Sequence, residues 1–430
     1  MNRLRVALVS QPGQYPPRDF EFGGIPNWDY QVARRLAGKC EMIVYSTQAR
    51  GVPRVVRDGN VEYRNLPGRA FGRYLGRLPG VQRPLAASRL YHLEFALRVA
   101  ADARRRRCDV IQIHSFPQFV PVIRALNPRA KIVLQNHIHW LPQFPRGLVE
   151  GWLRKADLLI ACSDDLATKI RRTFPDAARG CRTLYNGIDP ERFSPGPPWA
   201  RRSGSDVKRV TYVGRISPEK GVHVLIDSFQ KVLRHHAGVQ LHIIGPERPL
   251  ARDFFVALSE DPRIRELLPF CTGSYVSQLQ SRIDSAWRAQ VTFTGRLAHT
   301  DLVRSLRESD LHVHPAVWDE PFAYTVLESM AVGLPVIASR AGGPAEYIEH
   351  GSTGWLVEPG DVDSLAEAII TLLSDDATRE RIGRAARARA VERFSWDRIA
   401  EDMWCCYQEL CGQGTSCLSE STPSSTSVRH

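Results

Sequence analysis

Glu320 and Glu328 are two carboxylates eight residues apart, and the residue types around them suit recognition of a ligand that carries hydroxyl groups. Good helix formers over 323–332 predict a helix that starts just after Glu320 and contains Glu328. An ionised carboxylate only accepts hydrogen bonds, so each glutamate could bind a pair of hydroxyl groups. The N–H groups at the helix start, near Ala323 and Tyr324, favour an anion. A sugar, a diphosphate and a ribose in one ligand would satisfy all three features.

The ends of this helix are predicted from residues with strong local preferences. Pro321 suits the first turn, where a missing N–H costs little, and Gly333 and Pro335 end the helix. A short apolar strand follows from Pro335. The alternative is that Glu320 only interacts with the helix dipole and that Glu328 is a surface residue, and the two carboxylates alone do not decide between these hypotheses.

A second group of residues suits a phosphate. A strand predicted over 209–213 leads into Gly214, Arg215 and Lys220, and a helix follows. An arginine offers a planar pair of donors to a phosphate, and a lysine offers a point charge. These residues therefore predict a phosphate-binding loop, and the alternative is an exposed basic loop.

The start of the chain has a similar plan. Arg5 to Ser10 is predicted as a strand, and Gly23 and Gly24 precede a helix that runs to about Ala37. A strand, a glycine loop and a helix suit a phosphate or a diphosphate. A plain turn is the alternative for the glycine pair.

Three histidines follow predicted strands in the first half of the chain. His114 ends the buried-strand pattern DVIQIH, and His137 and His139 follow a strand predicted over 132–134. In parallel α/β sheets, ligand-binding groups gather at the carboxyl ends of strands. We therefore expect a polar cleft lining there, although a lone histidine such as His114 is more often structural. The spacing of His137 and His139 does not by itself make a metal site.

Length and composition predict a globular protein with two domains. The 430 residues are 43% apolar, and no apolar run approaches the roughly 20 residues that a membrane-spanning helix needs. The first residues lack the features of a signal peptide, so a cytoplasmic location is expected. Nine cysteines, an odd number without zinc-site spacing, are expected to be reduced thiols. Asp361 begins the Asp-x-Asp at 361–363 and is predicted as a helix N-cap.

The net charge of +12 is unevenly distributed. Residues 1–190 carry 31 Lys and Arg against 15 Asp and Glu, a net +16, which leaves −4 for the rest of the chain. In the stretch 66–107, arginines interleave with Phe, Tyr and Leu. Such a segment suits the surface of an anionic membrane, and the alternative is an ordinary helix with a solvated basic face. No nucleic-acid-binding module is recognisable, so no nucleic-acid partner is predicted.

Four motifs, in the expected chain order, resemble one family. They are LYNGIDPERFSP from Leu184, YVGRISPEKGVHVLIDSF from Tyr212, EPFAYTVLESMAVGLPVIAS from Glu320 and AGGPAEYIEHGSTGWLVEPGD from Ala341. The chain resembles the family-four retaining glycosyltransferases (glycosyl transferases group 1) to about Leu410. The resemblance implies the α/β GT-B fold, in which two Rossmann-like doubly wound domains face a central cleft.

The resemblance also implies a division of the chain. An N-terminal acceptor-side domain is expected over 1–190 and a C-terminal nucleotide-sugar-binding domain over 191–393. A helix over 394–411 is expected to cross back to the first domain, and a disordered tail is expected over 412–430.

The same resemblance implies roles for single residues. Arg215 and Lys220 bind the donor diphosphate, Glu320 orients sugar hydroxyls, Glu328 binds the ribose, and His114 contacts the far side of the sugar. Of these, His114, Glu320, Arg215 and Lys220 form the implied catalytic set. The other implied residues are Gly23, Gly24, Gly214, Gly245, Arg296, Leu297, Phe322, Ala323, Tyr324 and Thr325 on the donor side, and His137 and His139 on the acceptor side.

The implied activity is transfer of a hexose-type sugar, with retention at the anomeric carbon, from a nucleotide diphosphate sugar to a hydroxyl acceptor. UDP-sugars are the commonest donors in the family, and the acceptor is a lipid-linked intermediate, a polysaccharide or a natural product. No metal or other cofactor is expected, because Arg215, Lys220 and helix N-termini would stabilise the leaving diphosphate. The alternative is a sugar-nucleotide epimerase or phosphorylase on the same fold.

Two positions depart from the family pattern. Ala323 stands where relatives usually have glycine, so the identity of their donor sugar is a weaker guide to the donor of this chain. Gln112 stands where many members have the first histidine of a His-x-His pair, a change that we expect to be tolerated.

Overall fold

The structure is a computed structural model that describes residues 3–13, 23–68, 88, 90–196, 207–248, 259 and 261–413. Its first sheet is built from β1 (Arg5–Val9), β2 (Glu41–Thr47), β3 (Val55–Asp58), β4 (Val61–Leu66), β5 (Val110–His114), β6 (Lys131–Asn136), β7 (Leu158–Ala161) and β8 (Arg182–Thr183). Their order across the sheet is β3-β4-β2-β1-β5-β6-β7-β8. Only the β3–β4 hairpin is antiparallel.

The second sheet is parallel throughout. It is built from β9 (Arg209–Val213), β10 (Gln240–Ile244), β11 (Val291–Gly295), β12 (Leu311–His314), β13 (Val336–Ser339) and β14 (Trp355–Val357). The order β11-β10-β9-β12-β13-β14 is that of a doubly wound dinucleotide-binding sheet. The predicted α/β class with two Rossmann-like domains is confirmed.

Helices connect these strands. The first half contains α1 (Gly24–Leu36), α2 (Leu93–Arg105), α3 (Phe119–Leu126), α4 (Trp140–Gln143), α5 (Arg146–Leu153) and α6 (Asp164–Thr173). The second half contains α7 (Val222–His235), α8 (Pro262–Arg265), α9 (Tyr275–Arg282), α10 (His299–Arg307), α11 (Tyr324–Ala331), α12 (Pro344–Tyr347), α13 (Val362–Ser374), α14 (Asp376–Phe394) and α15 (Trp396–Leu410). Short 3-10 helices lie at Pro218–Lys220, Leu268–Cys271 and Ser285–Gln290.

The sequence forms these layers because strands and helices bury different patterns. The central strand β1 is apolar and buried from Val6 to Val9, as expected for a parallel strand that is covered on both faces. In α7 the buried side chains recur every three or four residues, at Val222, Leu225, Phe229 and Val232. One stripe of this helix therefore packs on the second sheet.

The last helix, α15, packs against the first sheet and its helix α1. Ser395 separates α14 from α15, and its side chain accepts a hydrogen bond from the backbone N–H of Arg398. The hydroxyl of Tyr407 then donates to Oε1 of Gln112 in β5 over 2.6 Å, inside the core. The predicted N-cap at Asp361 is also confirmed, since its side chain accepts from the N–H of Ser364.

Two predictions fall partly outside the described residues. In the basic stretch 66–107, residues 69–87 and 89 lie outside them, and so do residues 414–430 of the predicted tail. Within the described part of the chain, no helix combines the length and apolar character that crossing a membrane requires.

His312 in β12 is a buried polar side chain whose two ring nitrogens have no partner among the described residues. Burial, and next the charge of His314, lowers the pKa of His312 to about 3. The pKa of a histidine in the unfolded chain is about 6.5. At pH values between the folded and the unfolded pKa, the unfolded chain therefore binds a proton at His312 that the folded chain does not bind. The pH-dependent contribution of neutral His312 to the free energy of unfolding is therefore fully present above pH 6.5 and is lost as the pH falls toward 3.

We expect His312→Val to stabilise the protein and to reduce its acid sensitivity. Removal of unpaired buried nitrogens should raise the free energy of unfolding by about 1–3 kcal/mol at pH 7. The free energy of unfolding should also fall less steeply below pH 6, by about 1.4 kcal/mol per pH unit, than in the unmodified protein. Urea unfolding at pH 7, 6 and 5 measures both effects, with exposed His235→Val as the control. An unchanged acid slope would contradict this account.

Candidate active site

The two domains meet where strands of both sheets end. Beyond β1, the carbonyl of Gly24 accepts a hydrogen bond from the hydroxyl of Tyr324 over 3.1 Å. Beyond β7, Sγ of Cys162 lies 3.7 Å from the carbonyl oxygen of Pro321. The strand order reverses beside β1 in one sheet and beside β9 in the other, and ligands bind outside the carboxyl ends at such points. The candidate site therefore lies between the sheets.

Lys220 and Glu320 form a buried ion pair at the centre of this site. The lysine follows β9, and the glutamate belongs to the loop between β12 and α11. Trp318 completes the group, because its Nε1–H donates to Oε2 of Glu320 over 2.9 Å and its ring lies 5.4 Å from the Lys220 ammonium. The loops after two neighbouring strands are thus joined by one charged contact.

The charge state of Glu320 follows from these contacts. Burial alone raises the pKa of Glu320, but the Lys220 ammonium, His314 and the Trp318 N–H together lower it to about 2. The carboxylate is therefore ionised at neutral pH and can accept hydrogen bonds from hydroxyl groups.

Two glycines let the loops approach this closely. Gly221 has a φ of +69°, and a Cβ there would lie 1.9 Å from the carbonyl oxygen of Pro315. Gly342 has a φ of +61°, and a Cβ there would lie 2.2 Å from the carbonyl oxygen of Glu320. The next N–H, of Gly343, donates to that same carbonyl over 2.7 Å. Any side chain at Gly221 or Gly342 would collide with the facing backbone. These two glycines therefore allow the close backbone contacts that fix Glu320.

Arg215 lies in the same loop as Lys220 and is held by a buried acid. Its Nη2 donates to Oε1 of Glu219 over 2.9 Å, and its Nη1 donates to the carbonyl of Arg248 over 3.2 Å. The second oxygen of Glu219, which is fully buried, accepts from the hydroxyl of Ser217. The guanidinium is thus oriented before any ligand arrives.

The remaining residues that were predicted for the donor side fall into two groups. Gly214, Gly245 and Arg296 follow the ends of β9, β10 and β11, where the N–H of Gly245 donates to the carbonyl of Gly295 over 2.8 Å. Leu297 packs against the core beside this edge. The second group surrounds the start of α11 and comprises Phe322, Ala323, Tyr324 and Thr325.

Ala323 is the N-cap of α11 and supplies no side-chain hydrogen bond to the helix. Helix N–H groups in the first turn have no acceptor within the helix, so they are available to an anion. Phe322 supports this turn from below, with its ring 5.4 Å from that of Tyr324 and 5.5 Å from that of Tyr347.

Glu328 lies on α11, one turn beyond Tyr324, and only 9% of it is exposed. The alternative of a surface residue is therefore wrong. Burial raises the pKa of Glu328 to about 7, and the positive charge of Arg192 opposes that shift. The helix itself runs over 324–331, one residue shorter at each end than predicted, and the following strand starts at Val336.

The histidines of the first domain end in different environments. His114 is fully buried, with Nδ1 2.9 Å from Nε2 of His137 and Nε2 3.0 Å from Oδ1 of Asp29. His139 lies at the domain junction, with its ring 6.0 Å from that of Trp318 and Nε2 3.9 Å from Oδ2 of Asp165. Because both nitrogens of His114 face protein groups, its contact with a sugar stays a prediction.

Comparison with known proteins places this geometry in a family. The family model described as Glycosyl transferases group 1 matches residues 198–389, and the model described as Glycosyltransferase Family 4 matches residues 22–192. Spore coat protein SA of Bacillus subtilis is 28% identical over 422 residues, which cover 94% of this chain and 100% of that protein. The chain belongs to the family-4 glycosyltransferases.

Two solved structures show the same architecture as this glycosyltransferase. Sucrose-phosphate synthase from Thermosynechococcus elongatus has a TM-score of 0.74 at 22% identity, with 96% of this chain and 100% of that chain covered. Anabaena HepE in complex with UDP and glucose has a TM-score of 0.64 at 20% identity, with 93% and 98% covered. The GT-B fold that the sequence motifs implied is thereby confirmed.

Sequence reasoning missed three residues that support the site of this glycosyltransferase. Glu219 lies within the motif that starts at Tyr212, and Trp318 lies two residues before the motif that starts at Glu320, yet their partners are known only from the fold. Asp29 carried a signal, because it occupies a position of the apolar stripe of α1 that also contains Trp28, Val32 and Leu36. An acid at a core position of a helix indicates a specific partner.

We expect Glu328→Gln to stabilise the ligand-free glycosyltransferase and to weaken donor binding. A carboxyl whose folded pKa is raised contributes stability that is fully present below its unfolded value, about 4.5, and is lost as the pH rises through 7. At pH 8 the neutral amide should therefore raise the free energy of unfolding by up to about 3 kcal/mol. The donor KM should rise at least about tenfold if Glu328 binds the ribose hydroxyls.

Urea unfolding at pH 8 and at pH 4.5, together with donor titration, measures these effects. Glu367→Gln, on an exposed site of α13, is the matched control and should change neither quantity. The prediction is wrong if Glu328→Gln has a lower free energy of unfolding than the unmodified protein at pH 8. That result would mean that the buried carboxylate of Glu328 is stabilised by its surroundings.

Proposed function

We propose that the protein transfers a hexose-type sugar from a UDP-sugar to a hydroxyl acceptor with retention at the anomeric carbon. The observation that carries this proposal is the buried Lys220–Glu320 pair, which places a cation and a hydroxyl-accepting carboxylate side by side in the cleft. A sugar joined to a diphosphate needs both groups at that separation. The structural neighbour HepE was crystallised in complex with UDP and glucose, which supports a uridine nucleotide as donor.

The leaving diphosphate is stabilised by Arg215, Lys220 and the first N–H groups of α11. Arg215 offers a fork of donors and is pre-oriented by Glu219, so little reorganisation is needed when charge develops on the phosphate. The uncapped start of α11 adds backbone donors and the positive end of a helix dipole. These groups supply the positive charge that a metal would otherwise supply.

The sugar lies between this phosphate site and the first domain. Glu320 accepts hydrogen bonds from its hydroxyl groups, and Glu328 accepts from the ribose. His139 lies next to Trp318 at the junction, where burial, followed by the nearby charge of Lys169, lowers its pKa to about 4. It is therefore neutral at pH 7 and suited to a hydrogen bond with an acceptor hydroxyl. The departing phosphate takes the acceptor proton, so no protein base is required.

We expect Lys220→Ala and Arg215→Ala each to lower kcat/KM for the donor at least about tenfold, which corresponds to about 1.4 kcal/mol of lost transition-state stabilisation. A screen of nucleotide sugars by thermal shift identifies the donor for this measurement. Lys231→Ala changes a half-buried lysine that pairs with Asp363 away from the site, and this control should keep full activity. Unchanged turnover in both site variants would remove the phosphate assignment.

The same assay separates transfer from the alternative activities. An epimerase would convert the donor in the absence of any acceptor, and a phosphorylase would require inorganic phosphate. Product that forms only when a hydroxyl acceptor is added supports transfer.

A lipid-linked acceptor is favoured by one surface of the first domain. Leu97 in α2 and Leu90 just before it are 46% and 45% exposed, and Arg98 follows directly. Exposed leucines beside arginines suit the interface of an anionic membrane, where each cation contributes about 1 kcal/mol.

We therefore expect the double variant Leu97→Gln, Arg98→Gln to sediment less with anionic phosphatidylglycerol vesicles than the unmodified protein. Val55→Gln changes a similarly exposed apolar residue on β3 and serves as the control. Equal sedimentation of all three proteins would argue against membrane contact at α2.

A further inference from the structure

A buried chain of polar side chains runs through the first domain from α1 to the cleft. Asp29 of α1 is fully buried, and Nε2 of His114 lies 3.0 Å from its Oδ1. Nδ1 of His114 lies 2.9 Å from Nε2 of His137. His137, which is partly exposed, hydrogen-bonds in turn to the side chain of Asn186, which lies in the segment after β8. Four side chains from separate elements are thus connected in one line.

The carboxylate at one end fixes the direction of this chain. Two groups face Nε2 of His114, the carboxylate of Asp29 at 3.0 Å and the amide nitrogen of Gln112 at 3.5 Å. An ionised carboxylate only accepts, so contact with Asp29 requires the proton of His114 on Nε2. A neutral imidazole has one donor and one acceptor, so Nδ1 of His114 then accepts, and Nε2 of His137 must donate to it.

Asn186 closes the far end of the chain. Its Oδ1 is buried and has no hydrogen-bond partner among the described residues, so it is shielded from an incoming hydroxyl group. The ring of His137 is therefore held between two protein groups, His114 and Asn186.

Asp29 has no other charge to compensate it. Among the described residues its one ion-pair partner is the His114 imidazole, and the other ionisable groups that sense its charge are Tyr63, Tyr324 and Tyr407. A buried carboxylate without a cationic partner is costly, and a residue that served packing alone would be apolar. The ring of Trp28, 4.9 Å from that of His114, keeps the imidazole from rotating away.

We propose that Asp29 is a positioning residue for sugar transfer, which holds the proton of His114 on Nε2 and so fixes the orientation of the His114 and His137 rings beside the cleft. The inference rests on the proposed function for its kinetic consequence, but the protonation pattern of the two rings does not depend on that function. Loss of this alignment acts on the reacting geometry more than on donor binding, because the donor phosphates are held by the other domain.

Nitrogen NMR of protein labelled with ¹⁵N-histidine tests the protonation pattern directly. In the unmodified protein, His114 and His137 should both be neutral and protonated on Nε2. In Asp29→Asn both rings should change their nitrogen signals, since an amide can donate as well as accept. Asp102→Asn replaces another buried aspartate of the same domain, one that is paired with Arg64 and Arg106, and should leave both rings unchanged.

Kinetics complete the test. Asp29→Asn should lower kcat at least about tenfold while the donor KM stays within about threefold, and Asp102→Asn should retain the kcat of the folded protein. Protonation of either ring on Nδ1 in the unmodified protein would overturn the proposal even if Asp29→Asn fails to fold. Unchanged ring signals in folded Asp29→Asn would overturn it as well. If the unmodified protein transfers no sugar, the proposed function fails, and the NMR result still decides the role of Asp29.

Discussion

The buried pair of Lys220 and Glu320 is the constraint on which the rest of the site depends. Neither charge is tolerable alone in this setting, because removal of one partner from a buried pair leaves an uncompensated ion. The pair also joins the loops after β9 and β12, which are neighbouring strands beside the point where the strand order reverses. The close backbone contacts at Gly221 and Gly342 follow from this requirement, since both bring a loop to the distance at which the two side chains meet.

The loop that carries Glu320 is also tied to the other domain. Oδ2 of Asp319 lies 2.6 Å from the ammonium of Lys169 in α6, and its Oδ1 lies 3.3 Å from Nη2 of Arg263 in α8. A short distance away, the carboxylate of Glu346 accepts from the first two N–H groups of α6, those of Asp164 and Asp165, over 2.8 and 2.6 Å. A carboxylate at a helix start is favoured by the helix dipole. Asp319 and Glu346, which lie beside the candidate site, therefore also fix the position of one domain relative to the other.

The extent to which the sequence predicted this site depends on how local each contact is. The loop of Arg215 and Lys220 and the acids on either side of the α11 start were predictable, because strand, turn and helix signals fix them within a few residues. The partners of those groups were not, since Glu219 meets Arg215 by a turn of 3-10 helix and Trp318 meets Lys220 across two strands. His114 was placed at a strand end, but only the packing of α1 against β5 shows that its nitrogens face Asp29 and His137. The sequence pattern predicts the element on which a side chain lies. Tertiary contacts determine which groups that side chain faces.

The electrostatic character of the cleft follows from the contrast between its cations and its histidines. Burial is the largest cause that lowers the pKa of His137, His139 and His314, in the last two to about 4, so these rings are neutral at pH 7. Arg215 and Lys220, the two cations of the proposed diphosphate site, both lie in the second domain. His137 and His139 lie in the first domain, and neutral imidazoles can exchange hydrogen bonds with hydroxyl groups without attracting a second phosphate. This division is what the proposed function requires, with an anionic donor on one side and an uncharged sugar or acceptor on the other, although the first domain is the more basic by sequence.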